Sequence, residues 1–340
     1  MNLVRELRTA IAAALVALAL PATAQAGVRV SAFYYPWYGT SARDGFYQHW
    51  SQHGHVPPND IASAYYPARG LYSSSDRLVT GAQMSEIKGA GIDEVVVSWW
   101  GRGSPEDRRL PDVIAAARAN GLAVAVHLEP YNGRTVASTV DDVAYLRGFG
   151  ITTFYVYRPF DFAPSEWAAA QADLHAGGTT LFAQTALPGA AAAGGFDGVY
   201  TYDIVVYSAA KFARICAEAR KVHLLCAPSV GPGYDARRGS GDPVVKPRRN
   251  GATYDSMWKL AIQAHADRIT ITSYNEWHEG TQIEPASSST RRRGRYRYLT
   301  YDGAWGLHGV AAERAYLTRT RYWVDVFRKT SPVQLKTSAS

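Results

Sequence analysis

The feature that most constrains this chain is a repeating alternation. Eight short runs rich in β-branched and aromatic residues occur at 28–35, 92–99, 122–129, 151–157, 179–185, 196–203, 222–228 and 268–274. Between them lie segments with apolar residues at helical spacing, among them 110–120, 140–149, 165–176, 208–221 and 254–266, and a last one near 304–328 follows the eighth run. Strands that alternate with helices pair in parallel through right-handed crossovers. Eight such units close into a barrel more readily than they open into a doubly wound sheet, and no glycine-rich dinucleotide fingerprint follows the first run. The expected fold is α/β, a single (β/α)8 TIM-type barrel.

The chain's ends read differently from its body. Arg5 and Arg8 precede an uncharged apolar stretch, 10–20, that closes on Pro21 and the tripeptide Ala24-Gln25-Ala26, the layout of a secretory signal peptide cleaved after Ala26. That stretch falls well short of the roughly 20 residues a membrane-spanning helix needs, so no transmembrane segment is expected. The predicted division is a signal peptide over 1–26, a catalytic barrel over 27–330 and a tail over 331–340, in a protein secreted or held at the cell envelope and acting as a monomer. A net charge of +7 favours contact with acidic surfaces or envelope polymers. Of the two cysteines in this exported chain, Cys216 lies in a helical pattern and Cys226 in the following strand. A bridge between them is one reading, and the distance usual between a helix and a packed strand weighs against it.

A barrel enzyme builds its site where strands end and βα loops begin. Here the first strand runs into Tyr34-Tyr35-Pro36-Trp37-Tyr38-Gly39, the second into Trp99-Trp100, the third into His127-Leu128-Glu129-Pro130-Tyr131 and the eighth into Asn275-Glu276-Trp277-His278-Glu279. Polar and aromatic residues therefore gather at one rim, and ring faces there suit the C–H faces of pyranose sugars. The loops 39–80, 231–252 and 280–303 exceed ordinary connections and read as the walls of an open cleft.

Glu276 and Glu279, three residues apart on the last rim loop, can reach one ligand if the backbone turns between them. Glycosidic cleavage needs such a pair, one carboxyl protonated and one ionised, because repulsion and unequal burial drive their proton affinities apart. Structural ion pairs with the chain's arginines are the alternative. The dipeptide His278-Glu279 does not open a zinc-binding H-E-x-x-H helix, since position 282 is Gln282 and Gly280 disfavours a helix. No G-x-S-x-G elbow or Walker-type loop occurs. His49, His127 and His278 lack a ligand spacing and better suit sugar or structural hydrogen bonds, so neither metal nor cofactor is expected. Arg291, Arg292, Arg293, Arg295 and Arg297 form one loop without a nucleic-acid-binding motif and read as solvated or envelope-contacting.

The string from Ser273 through Asn275-Glu276-Trp277-His278-Glu279-Gly280 to Glu284 resembles the signature of glycoside hydrolase family 99. The likeness extends through the rim strings above, Phe154-Tyr155-Val156-Tyr157, Gly195-Phe196-Asp197-Gly198-Val199-Tyr200-Thr201-Tyr202 and Pro228-Ser229-Val230-Gly231-Pro232-Gly233-Tyr234, and covers roughly 28–328. It implies a (β/α)8 barrel that cuts internal α-1,2-mannosidic bonds of α-mannan or a mannose-containing glycan. It further implies retention of configuration through a 1,2-anhydro sugar, with Glu276 as base on the sugar 2-hydroxyl and Glu279 as general acid and then base. By motif position, Tyr38, His49, Glu129, Tyr157, Tyr202 and Asn275 are implied to line the −1 and −2 subsites. In the family, the second aromatic after strand two is Tyr where glucose is preferred at −2 and Trp in bacterial mannanases; Trp100 implies mannose. Arg158, where an acidic residue is expected, and the loop 235–247 depart from the pattern and bear on subsite preference. Three other readings stay open: a non-catalytic glycan-binding barrel, a related glycosidase acting on another envelope polysaccharide, and a structural envelope protein attracted by charge.

Overall fold

The computed structural model describes residues 28–289, 292–293 and 296–330. The predicted signal peptide, the tail 331–340, Arg291 and Arg295 lie outside the described residues. All eight predicted strands form: β1 (Arg29–Tyr34), β2 (Glu94–Trp99), β3 (Ala123–Leu128), β4 (Thr153–Val156), β5 (Thr180–Gln184), β6 (Gly198–Tyr200), β7 (Leu225–Ala227, continued past Pro228 by Ser229–Val230) and β8 (Arg268–Ile271). Each is followed by a helix, in order α1 (Arg77–Gly89), α2 (Pro105–Ala119), α3 (Val136–Arg147), α4 (Pro164–Ala169), α5 (Pro188–Ala193), α6 (Phe212–Lys221), α7 (Ala252–Gln263) and α8 (Ala315–Thr330).

Neighbouring strands pair in parallel, and β1 pairs with both β2 and β8. Closure happens at β7, which is split by a residue without an N–H. Leu225–Ala227 pairs with β6, whereas Ser229 and Val230 pair with Thr270 and Ile271 of β8. The two ends of the strand row are thus halves of one strand, and the sheet is a barrel. Such strands are buried on both faces, which is why β2, Glu-Val-Val-Val-Ser-Trp, is buried at all six positions. Glu94 opens that strand inside the barrel, where it takes Arg29 Nη1 at 2.7 Å and the Ser31 hydroxyl at 2.8 Å. Those two contacts tie β1 to β2 at the end away from the rim.

The helices start at expected signals. Ser104 caps α2 by accepting the Asp107 N–H, with Pro105 at the first helical position. Helix α1 has no counterpart among the predicted segments, because its buried face is half polar, Thr80 and Gln83 beside Met84 and Ile87, and leaves little apolar period to read. The pattern at 165–176 breaks into α4 and the short turn Gln171–Leu174, and that at 304–328 becomes a tight turn, Ala304–Gly306, before Val310–Glu313 and α8.

The weight placed against a disulfide is corrected. Cys216 of α6 and Cys226 of β7 are bonded, with Cα atoms 5.2 Å apart and both side chains buried. Helix α6 turns sharply at His223, φ 60°, and packs directly against the strand it feeds. Closing a loop with a sequence separation of 10 restricts the unfolded chain by about 3 kcal/mol in the chain-entropy account. Cys216→Ser/Cys226→Ser should therefore lose about that much stability in urea unfolding, and reductant should lower the parent's stability while leaving the double variant unchanged.

Candidate active site

The chain leaving β8 folds into a closed loop. The Ser273 N–H donates to Thr281 O at 2.9 Å, the Ile283 N–H to Ser273 O at 3.0 Å and the Glu284 N–H to Tyr274 O at 2.8 Å. Glu284 has no solvent exposure, and its carboxylate accepts Arg69 Nε at 2.9 Å, the Tyr72 hydroxyl at 2.8 Å, Gln83 Nε2 at 2.8 Å and the Trp277 indole N–H at 2.9 Å. Trp277 is thereby drawn inward, and Glu276 and Glu279 on either side of it both face the cleft. From the other flank Arg248 donates to Gly280 O at 2.9 Å and Gln282 O at 2.7 Å. Its guanidinium rests 4.6–4.7 Å from the ring centres of Tyr65, Tyr301 and Tyr316.

The cleft encloses about 380 Å³ and brings together Glu276, Glu279, His49 and Trp100 of the predicted residues. Glu129 is 4% exposed and accepts the Ser98 hydroxyl and His127 Nδ1, each at 2.8 Å. Ser98 also accepts the Trp100 indole N–H at 3.1 Å, so the wall residue and the buried carboxylate are tied to one hydroxyl. Tyr157 and Tyr202 pack edge to face with ring centres 5.3 Å apart. Tyr38 and Asn275 are both fully buried. The Tyr38 hydroxyl donates to Asn275 O at 3.1 Å and accepts the Trp277 N–H at 3.0 Å; the Asn275 amide bonds the Tyr35 N–H at 2.7 Å and Tyr35 O at 3.0 Å. Their polar atoms hold the β1 and β8 loops together.

Residues that the site expectation omits also line the cleft: Trp37, Gln52, Glu106, His278 and, from the β7 loop, Gly239 and Ser240. Gly239 lies so close to the His278 backbone that an added Cβ would fall 2.4 Å from its carbonyl oxygen. Trp37 stacks on His49 at 4.3 Å. Tyr35 is a further omission, buried and hydrogen-bonded to the Tyr202 hydroxyl, with its own hydroxyl in the field of Glu129, Glu279 and Glu276. Strand parity could have found it: Tyr34 turns outward to Gln83 at 2.7 Å, so Tyr35 turns inward. Arg158 is exposed and pairs with Asp161 at 3.1 Å.

The electrostatics follow from burial. It lowers His49 to about 3 and His278 to about 4, so both rings are neutral at ordinary pH. His278 Nε2–H donates to His49 O at 2.6 Å, which leaves its bare Nδ1 toward Glu276, and no cation neutralises that carboxylate from there. Burial and then repulsion from Glu279 hold Glu276 well above the usual carboxyl range, opposed by backbone N–H groups of His278, at 2.8 Å, and Glu279. Burial, followed by the charges of Asp203, Glu129 and Asp242, pushes Glu279 up to about 8. No hydrogen bond reaches the Glu279 carboxyl among the described residues.

A family model described as "Glycosyl hydrolase family 99" matches residues 27–329. The fold is similar to a solved structure titled as the GH99 endo-alpha-mannosidase from Bacteroides thetaiotaomicron in complex with bis-tris-propane, with a TM-score of 0.79, 32% identity and coverage of 92% of this chain and 99% of that one. A zebrafish (Danio rerio) protein named "Glycoprotein endo-alpha-1,2-mannosidase-like protein" is 33% identical over 352 residues, 87% of this chain and 78% of the relative. The mouse (Mus musculus) "Glycoprotein endo-alpha-1,2-mannosidase" is 30% identical over 88% of this chain and 74% of its own length.

The raised proton affinity of Glu279 has a consequence for stability. The folded state holds the proton to about 8, whereas the ordinary value is 4.5. Its contribution is therefore full below the ordinary value and is lost as pH rises through the folded one. The melting temperature of Glu279→Gln should exceed the parent's by a margin that grows from about pH 4.5 to about pH 8 and then levels; a pH-independent margin would contradict the burial described here.

Proposed function

Because the chain belongs to glycosyl hydrolase family 99, we propose that it is a retaining, endo-acting hydrolase of internal α-1,2-mannosidic bonds in α-mannan or a related mannose-containing glycan. The observation that carries this reading is the inequality of two carboxyl groups in one cleft. Burial raises both carboxyls, Glu279 to about 8; Glu276 accepts backbone N–H groups that favour its ionised form, whereas among the described residues Glu279 has no such donor. Burial disfavours the charge on both, and the backbone donors at Glu276 offset part of that cost for its ionised form; on those donors Glu276 is assigned as the base and Glu279 as the acid.

In the first step Glu276 takes the proton of the 2-hydroxyl of the −1 mannose, O2 attacks C1, and the C1–oxygen bond to the leaving group breaks as Glu279 protonates that oxygen. The axial 2-hydroxyl of α-mannose lies anti to the axial leaving group, so this attack comes from the opposite face and gives a 1,2-anhydro sugar. In the second, water attacks C1 while Glu279 removes its proton, the C1–O2 bond opens, and Glu276 returns the proton to O2. Two inversions give net retention without a covalent glycosyl-enzyme, a departure from the usual two-carboxylate scheme. Glu129, Tyr157, Tyr202 and His49 serve the −1 and −2 subsites, and Trp100 favours mannose at −2. The N-terminal segment 1–26 supports action outside the cytoplasm, secreted or at the envelope.

Incubation of the purified mature chain with α-1,2/α-1,6-mannan and with substrates bearing an α-mannosyl-1,3-mannosyl unit should release, from the latter, α-1,3-linked mannobiose of retained configuration. Glu276→Gln and Glu279→Gln should each cut this rate by about 10² or more; folded parent that binds mannan without cutting it would instead be a glycan-binding barrel. The parent's rate should also fall as pH rises through about 8, where Glu279 loses its proton. That alkaline limb should vanish in Glu279→Gln, and its survival would assign the acid elsewhere.

A further inference from the structure

The first turns of α2 carry charged side chains at 106, 107, 108 and 109; Arg108 is exposed and donates to Gly103 O, and the protein consumes two of the other three. Asp107 accepts the Trp99 indole N–H at 2.9 Å and the Gly103 N–H at 2.8 Å. Arg109 donates to Pro36 O and Gln48 Oε1 at 2.8 Å, Ser75 Oγ at 2.9 Å and Asp44 Oδ1 at 3.2 Å. Glu106 differs. It is 4% exposed yet lines the cleft with Trp100, and among the described residues no cation pairs with it. Burial pushes its carboxyl up, while its own N–H and the Ser104 hydroxyl oppose that shift. The partial positive charge at the start of the fifteen-residue helix adds to the support for the ionised form.

We propose that Glu106 is a specificity-determining residue whose carboxylate accepts both hydroxyls of a vicinal diol on the sugar that rests against Trp100, one unit beyond the sugar whose bond is cut. The proposal rests on the hydrolase reading above. An ionised carboxylate offers about four acceptor sites, and the protein occupies only part of that capacity here. Leaving a buried acceptor short of donors costs free energy, which a ligand hydroxyl relieves. Two adjacent hydroxyls span the two oxygens of one carboxylate. The bond from Trp100 to Ser98 fixes the indole plane, so a sugar lying on that ring presents its edge in a set direction. A carboxylate with only a structural task would be consumed as Asp107 is.

The test uses the mature enzyme with an α-1,3-linked mannobiosyl fluoride and analogues in which each hydroxyl of the distal sugar in turn is replaced by hydrogen. In the parent, loss of either member of one vicinal pair should lower kcat/KM about tenfold or more, the usual effect of a hydrogen bond to a charged group. In Glu106→Ala the same loss should change it by less than about twofold, since the partner is already gone. Equal penalties in parent and variant would overturn the proposal. Calorimetric binding of the matching deoxymannobioses to parent, Glu106→Ala and the isosteric Glu106→Gln repeats the cycle without turnover. Coupling in binding with no hydrolysis by the parent would sink the hydrolase reading and keep Glu106; hydrolysis without coupling would do the reverse.

Discussion

A carboxylate cut off from water decides how the active-site loop is arranged. Burying an unpaired charge costs several kcal/mol, so Glu284 holds its position only by gathering donors, and they come from separate parts of the chain: Arg69 and Tyr72 from the long β1 loop, Gln83 from α1 and Trp277 from its own loop. That one requirement orders the β1 loop and pulls an indole inward. Glu276 and Glu279 are left facing the cleft as a by-product of where Trp277 has to go.

The same loop contains opposite treatments of one functional group. Glu284 is saturated with donors and is fixed; Glu276 has backbone donors and no cation; the Glu279 carboxyl has no hydrogen bond among the described residues. Burial holds all three carboxyls above their ordinary range, because it disfavours charge and only donors or cations offset it. Chemistry is thus assigned by what the surroundings withhold.

The strands were legible because a parallel barrel buries both faces of each one and writes itself as apolar runs, and the rim strings were legible because they follow those runs. What was hidden depended on direction and distance. A polar residue at a strand end can turn to a ligand or to a neighbouring loop, and nothing in the order of residues separates Tyr38 and Asn275, spent on bracing, from His49 and Trp100, which line the cleft. Helix α1 was hidden because Thr80 and Gln83 occupy its buried face. The bond between Cys216 and Cys226 was obscured by reasoning from average helix-to-strand spacing, where the turn at His223 sets the actual one. Glu106 carries no sequence signal beyond its place at a helix start, and only the cleft brings it together with Trp100.

Arg248 clamps the glutamate loop through two carbonyl oxygens while sitting among three tyrosine rings, and among the described residues no carboxylate pairs with it. A guanidinium stays protonated at any pH the fold survives, and burial keeps those phenols neutral well into alkali. None of the clamp's members titrates over the range in which Glu276 and Glu279 trade their proton. The loop is thereby mechanically insulated from its own acid–base cycle: charge can come and go at the cleft surface without loosening the mount that aims it.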